Sequence, residues 1–402
     1  MGLPDTTASW SPARWQYRHT ALALCVLAFF ATMSTRLVIS PLIPSLTDTF
    51  GVGDGAIGFA LTGMWGAYAL LQFPSGVLAD RFGEKRVILA AMAIAGTTSL
   101  LLATASSYAV FFVLTVLLGV GTGLHYTVGT TLLTKLFDGT GRAIGIHVTG
   151  GSIAGLLAPV VAAAIAVRVG WRWALVPPAA VALVIFLLLL VALRPTEPEQ
   201  PGLRMRSRFR LGALRSLLGR PSIAYTTVLA IIAAFAWQAT ASFYPTYLVA
   251  TRGLSVEAAS ALFSLYFVVL GLFQPLSGWL SDRLGRDTVI ALTMLAGVVG
   301  YGALTLVQWL PATVVAIVVT GFAMSWGGPI QSRFMDGLTD AERGTGFGLV
   351  RTVYMLVGAL GSGVVGTLAD LAGWTVAFGF LAALMALSLV ALATNRVLGL
   401  AL

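Results

Sequence analysis

The sequence is short of charge. Only 10% of its 402 residues are Asp, Glu, Lys or Arg, where a soluble domain carries roughly a quarter. A chain so poor in charge cannot clothe itself against water, which excludes an ordinary soluble globule and calls for an apolar solvent. Acids are scarcer than bases, 15 against 24, and none is predicted near the middle of an apolar run. Cysteine is limited to Cys25, inside the first apolar run, which excludes an intrachain disulfide and a thiol metal site. The chain presents no metal cluster, no nucleophile–base constellation and no phosphate-binding glycine loop. An enzyme is therefore disfavoured: no catalytic or metal-ligating residue is assigned, and no cofactor is expected.

What fills the chain is apolar, 58% of all residues. Runs of about 20 such residues recur, each long enough to cross roughly 30 Å of hydrocarbon as a helix. The runs are continuous, without the two-residue alternation of membrane strands, so helices are expected rather than a barrel. The fold class is an all-α membrane protein with twelve spans, near 19–46, 55–79, 87–106, 108–137, 143–167, 173–193, 222–250, 255–281, 288–308, 311–336, 344–370 and 374–396. Arg14 and Arg18 before the first run imitate a secretion signal. The run continues to about Ile43, however, and reads as an uncleaved first helix. With both termini in the cytoplasm, only Arg168, Arg172 and Arg252 of the basic residues fall outside, and Arg36, Arg333 and Arg351 lie within spans. That asymmetry is the positive-inside rule and predicts a multi-pass protein of the cytoplasmic (inner or plasma) membrane. The net charge of +9 thus records topology, and no nucleic-acid partner is expected.

The chain also repeats itself. Q-F-P-S-G-V-L-A-D-R-F-G-E-K-R at Gln72 to Arg86 returns as Q-P-L-S-G-W-L-S-D-R-L-G-R-D-T at Gln274 to Thr288, and G-W-R-W-A at Gly170 to Ala174 returns as G-W-T-V-A at Gly373 to Ala377. The repeats predict a six-helix bundle over 1–193, a cytoplasmic linker over 194–221 and a second six-helix bundle over 222–402, facing the same way. Within the linker, Arg204, Arg206, Arg208, Arg210 and Arg215 alternate with Leu211, Leu214, Leu217 and Leu218. Such a basic amphipathic stretch suits the anionic inner leaflet of the bilayer.

Gly76 to Arg86 resembles the signature loop of the major facilitator superfamily, G-x-L-x-D-R-x-G-x-[RK]-[RK], and its repeat falls where that family carries a second copy. The resemblance covers essentially the whole chain. It implies a carrier with its site between two pseudo-symmetric halves, working by alternating access. It also implies that Asp80, beside Arg81, pairs with the start of the eleventh span, where Arg343 stands. Asp282, beside Arg283, would pair likewise with the start of the fifth, where Arg142 stands, holding an inner gate shut. Gly155-Leu-Leu-Ala-Pro159 resembles the glycine-proline motif of antiporters, with alanines at Ala162 and Ala163 where glycines are usual. The arginine common in the fourth span of drug exporters falls at Thr115 and is absent. The run from Gly123 through Gly155 also resembles fosmidomycin-resistance-type and related organic-anion facilitators, with Tyr126-Thr127 where a proline would be common.

Embedded ionisable residues fall on spans 1, 4, 5, 10 and 11, which line the cavity in the resembled fold. Arg36 lies roughly 25 Å along the first span and either snorkels outward or faces the interior. Arg351 and His147 occupy near-equivalent places in the two halves, and His125 with Tyr126 sits in the fourth span. Arg333 and Asp336 are expected to form a gate or helix-face ion pair. Among Trp65, Tyr68, Gln72, Trp237, Gln238, Tyr244, Tyr266, Gln274, Trp326 and Gln331, Gln238 alone is carried forward as a substrate contact. The candidate substrate residues are thus Arg36, His125, Tyr126, His147, Gln238 and Arg351. His125 and His147 are also candidates for proton coupling or for plain interhelical hydrogen bonds. A buried arginine without a carboxylate calls for an anion. The leading expectation is a secondary carrier of a small anion, by proton symport or exchange, acting as a monomer. The alternative is a proton-antiport exporter of drugs or metabolites.

Overall fold

In the computed structural model, twelve helices are long and apolar enough to cross a bilayer. They are α1 (Tyr17–Phe50), α2 (Asp54–Phe82), α3 (Glu84–Ala103), α4 (Tyr108–Leu136), α5 (Thr140–Val169), α6 (Trp171–Ala192), α7 (Pro221–Arg252), α8 (Val256–Leu284), α9 (Arg286–Leu306), α10 (Leu310–Gly337), α11 (Gly346–Ala372) and α12 (Trp374–Leu398). The structure describes residues 16–202, 211–339, 342–343 and 345–400, and no strand occurs among them. Arg14 and the linker arginines Arg204, Arg206, Arg208 and Arg210 lie outside the described residues. Leu211–Leu218, at the end of the basic stretch, is helical. Apolar side chains such as Val184, Leu187, Val299 and Val315 stand exposed on the outer surface, as a lipid-facing surface requires. The protein is a multi-pass membrane protein.

The repeat in the sequence becomes a repeat in the packing. In the first six helices α1 packs on α5, α2 on α4, and α3 on both α4 and α6; in the second six, α7 packs on α11, α8 on α10, and α9 on both α10 and α12. Single glycines make the repeated turns: Gly83 and Gly285 at φ 85° and 90°, Gly170 and Gly373 at φ 100° and 86°. Positive φ is strained for side-chain-bearing residues, which is why these glycines recur at matched places. The two halves meet along two long seams, α2 against α11 and α5 against α8.

Four helices at the centre are broken. A 3₁₀ turn at Ser40–Leu42 interrupts α1, α4 bends at Leu124 and His125, a 3₁₀ turn at Met324–Trp326 interrupts α10, and α11 restarts at Leu360 after Gly358. Freed backbone groups at membrane depth are tolerated only inside protein or beside a cavity. The breaks therefore mark the polar centre.

With an even number of spans, α1 begins and α12 ends on one face, the termini face. On the far face the halves are joined. Asp370 near the end of α11 accepts bonds from the amides of Asp54 (2.9 Å) and Gly55 (2.8 Å) at the start of α2. These are first-turn donors with no intrahelical partner, placed where the helix dipole favours a carboxylate. Ser40 donates to the Ser242 carbonyl (2.6 Å), and Thr62 donates to the Ala359 carbonyl (2.9 Å) while accepting from the Gly363 amide (2.9 Å). Gly58 makes the approach possible, since a Cβ there would sit 2.5 Å from the Ser362 carbonyl oxygen.

On the termini face, the ion pairs among the described residues brace each half. Arg286 bridges Asp282 and Asp336, and Arg333 pairs with Asp287 (2.7 Å) and donates to Thr226 (3.0 Å). Two pairings differ from the expected ones in this structure. Arg333 does not pair with Asp336 along its own helix, because the start of α9 offers it a carboxylate. Asp282 is drawn to Arg286, one turn on, and Arg142 stands exposed. In the first half Lys135 bridges Glu84 and Glu199. Beside it, the segment after α6 docks on the repeated loop, with Gln200 donating to the Asp80 carbonyl (2.9 Å) and the Lys85 amide to Thr196 (3.0 Å). Arg81 lies over Phe82 at 5.1 Å and Arg283 over Trp279 at 4.0 Å.

Two outcomes follow from these contacts. Asp370→Asn keeps the shape of the far-face seam but replaces charge-assisted bonds by neutral ones, a loss of about 1 kcal/mol or more. Far-side maleimide labelling of the buried position Ala239, substituted by Cys, should then speed up several-fold over the Cys25 background; an unchanged rate contradicts this role. Asp287→Asn takes the carboxylate from Arg333, which is only 9% exposed, at about 1–3 kcal/mol, whereas Asp336→Asn leaves Arg286 with Asp282. Thermal unfolding in detergent should show the larger drop for Asp287→Asn, and equal drops would refute the assignment.

Candidate functional site

Arg36 ends the first part of α1, just before its break, and is 2% exposed. Its Nε donates to the Thr32 carbonyl (3.0 Å), and Nη2 lies 2.9 Å from the Met33 sulfur. The guanidinium sits 4.1 Å from the ring centre of Tyr68 and 4.9 Å from that of Trp65. It points into the bundle and does not snorkel. Trp65 and Tyr68 are three residues apart on α2 and so share a face. Trp65 in turn meets Trp237 of the other half edge-on at 5.3 Å and donates to Ser242 (3.4 Å).

Arg351 enters from α11 in the second half. Its guanidinium lies 4.5 Å from the ring centre of Tyr126 on α4, across the boundary between halves. Tyr68 and Tyr354 lie within its electrostatic reach, and its Nε is buried without a hydrogen-bond partner. Tyr68 therefore neighbours both guanidinium groups. Among the described residues neither arginine has a carboxylate at ion-pair distance. Gln238 is fully buried: its Nε2 donates to the Met355 carbonyl (3.1 Å) beside the α11 break, and its Oε1 has no partner. Trp326 at the α10 break has an unpartnered indole N–H.

His125 and His147 form a second group behind Tyr126. The bend in α4 turns His125 towards His147 on α5, with ring centres 5.5 Å apart at 64°, and both are 0% exposed. Phe29 covers them at 6.4 and 5.1 Å, and Tyr126 lies 6.0 Å from His147. A Cβ at Gly129 would lie 3.1 Å from the His125 ring and 3.5 Å from the His147 ring, so both rings converge on that glycine. The Cys25 backbone runs beside both, yet no ring nitrogen completes a hydrogen bond of ordinary geometry.

The structure thus gathers Arg36, Gln238 and Arg351 near the contact between halves and sets the histidines behind them, with Tyr126 touching both groups. The expected gate residues Asp80, Arg81, Arg142, Asp282, Arg283, Arg333, Asp336 and Arg343 all lie towards the termini face. Tyr354 was missed by sequence reasoning, although its place three residues past Arg351 puts it on the same helix face. The far-face residues Ser40, Thr62, Ser242 and Asp370 carried no signal of their own.

Comparison with known proteins agrees with this architecture. The family model of the Major Facilitator Superfamily matches residues 24–260 and 226–397. The chain is 29% identical over 172 residues to the probable sulfoacetate transporter of Cupriavidus necator, covering 42% of this chain and 40% of that one. It is 28% identical over 278 residues to the probable 4-methylmuconolactone transporter of Cupriavidus pinatubonensis, covering 65% and 63%. These alignments thus span under two thirds of either relative. The gallate transporter of Pseudomonas putida is 25% identical over 375 residues, with 82% and 81% covered. The crystal structure of the nucleoside transporter NupG shares the fold at a TM-score of 0.77 and 16% identity, over 94% of this chain and 99% of that one. Together with the doubled signature loop and the twelve paired helices, the family match shows that the chain belongs to the Major Facilitator Superfamily.

Proposed function

We propose that this protein is a secondary carrier that moves a small anionic solute across the cytoplasmic membrane by alternating access, with a proton or a counter-solute as its coupling partner. One observation carries the reading: Arg36, buried, from one half and Arg351, half-buried with its Nε enclosed, from the other face the centre with no carboxylate at ion-pair distance among the described residues. An isolated buried charge costs several kcal/mol even after relaxation. The tyrosine and tryptophan faces return about 0.5–2 kcal/mol each, which leaves a deficit. A carboxylate, sulfonate or inorganic anion offsets it by accepting from the guanidinium edges, whose donors lie in the ring-like plane that the aromatic faces leave open.

Other features support the same reading. The far-face seam is closed, and the ion pairs recorded among the described residues of the termini face lie within the halves, which supports one state of a rocking carrier. In the opposite state Asp282 exchanges Arg286 for the start of α5. Basic residues crowd the loops of the termini face, which we place in the cytoplasm. Relatives are named for the transport of sulfoacetate, gallate and hexuronate, all anions at neutral pH. Export of hydrophobic cations would require acids at the centre. We take the monomer as the working unit, with cargo at the contact between its two halves.

The test is counterflow in proteoliposomes with labelled sulfoacetate, gallate, galacturonate and nitrate. Removing one side of a buried charge interaction costs about 2–5 kcal/mol, so Arg36→Gln and Arg351→Gln should each lower exchange by roughly 30-fold or more, with unaltered size-exclusion profiles. Normal exchange in both variants would remove the anion reading.

A further inference from the structure

We propose that His125 and His147 form one proton-binding site that loads together with the anion, so that the proton is the coupling ion in symport. The assignment rests on the anion-carrier reading and adds the identity and location of the coupling ion.

The dyad is an anomaly as packing. Both imidazoles are 0% exposed, and all four ring nitrogens lack a hydrogen bond of ordinary geometry. Buried polar atoms are normally satisfied, and an exception calls for a function or a missing partner. Apolar residues would fill the same space without that penalty. What imidazole adds is a nitrogen lone pair that takes and returns a proton. On loading, the proton adds to a ring nitrogen lone pair of one histidine, and the resulting N–H donates to the facing ring. On release it leaves from the same atom, and no bond between heavy atoms forms or breaks.

The geometry also limits the load to one proton. Ring centres are 5.5 Å apart, and two unit charges at that separation repel enough, at an effective dielectric of about 20, to disfavour the second proton by on the order of a hundredfold. The titratable and charged groups facing the dyad are Cys25 and Arg36 on α1, Tyr126 on α4 and, through Tyr126, Arg351 on α11. No carboxylate among the described residues is recorded in contact with it. A proton here therefore enters a site already positive, and the anion held by Arg36 and Arg351 supplies the compensating charge. Each ligand favours the other, and the coupling is reciprocal. Tyr126 is the physical link: its ring meets Phe29 at 5.4 Å, His147 at 6.0 Å and the Arg351 guanidinium at 4.5 Å. The bound anion lowers the positive potential that opposes the proton, so a carrier holding both ligands is favoured over one holding the proton alone, as symport requires.

The experiment uses the full-length protein in proteoliposomes with entrapped pyranine, and sulfoacetate and nitrate as probes, whose charges do not change between pH 6 and 8. In the wild type an inward acid gradient should drive anion accumulation at least tenfold above the gradient-free level, with internal acidification. In His125→Gln, His147→Gln and the double variant, the ratio of gradient-driven accumulation to gradient-free counterflow should fall at least tenfold. Anion addition to wild type in lightly buffered detergent solution should take up about one proton per anion bound. Wild-type exchange without proton movement overturns the dyad, as does an undiminished ratio in the double variant. Absence of wild-type exchange of any probe overturns the anion reading itself and the dyad with it. Should the variants fail to fold by size exclusion, the wild-type count decides, and zero protons per anion refutes the assignment.

Discussion

Uncompensated positive charge at the centre of an apolar bundle is the constraint on which this structure turns. Arg36 and Arg351 reach that centre from opposite halves, and the protein gives them rings and carbonyls in place of carboxylates. Cation–π contacts of about 0.5–2 kcal/mol soften a penalty of several kcal/mol without closing it. A built-in Asp or Glu would close it and leave nothing for a cargo to do. In the function proposed above, this deficit is what an anionic cargo offsets, and its position between the halves ties binding to their relative motion.

The surrounding architecture follows from that placement. Helices α1, α4, α10 and α11 break where polar backbone can face the interior, and the outer helices turn apolar side chains to lipid. The two faces are fastened differently. Far-face contacts run between the halves, through Asp370 on the start of α2 and through short hydroxyl bonds, each modest and reversible. The termini-face ion pairs recorded among the described residues run within each half and stiffen it. Rigid halves joined by a breakable seam provide the two-state element that a rocking carrier needs.

Much of this was legible in the sequence. The twelve spans follow from composition alone, and predicted ends such as 108–137 against Tyr108–Leu136 differ by one residue. The repeat forecast the pairing of helices, because duplicated sequence keeps its own packing surfaces. The depth of Arg36 could be counted, but its direction could not, since that depends on Tyr68 and Trp65 from another helix. The family pattern pointed Asp282 across the interface, whereas in this state the one-residue turn at Gly285 brings Arg286 within its reach. Asp370 was invisible: it is a lone acid at a helix end whose partner amides lie more than 300 positions earlier. His125 and His147 were each found, yet their convergence on Gly129 needed the bend in α4 and the close approach of α1 to α5. Linear patterns report periodicity and local charge; partner choice across helices is a tertiary matter.

The most direct test of the central claim compares anions with neutral molecules of the same shape. Thermal stabilisation of the purified protein can be measured with gallate against pyrogallol and with galacturonate against galactose, since a ligand of the folded state raises stability as ln(1 + [L]/Kd). The account predicts stabilisation by at least one anion and none by its neutral counterpart. Equal stabilisation by the neutral partners, or stabilisation by neither class, would contradict it.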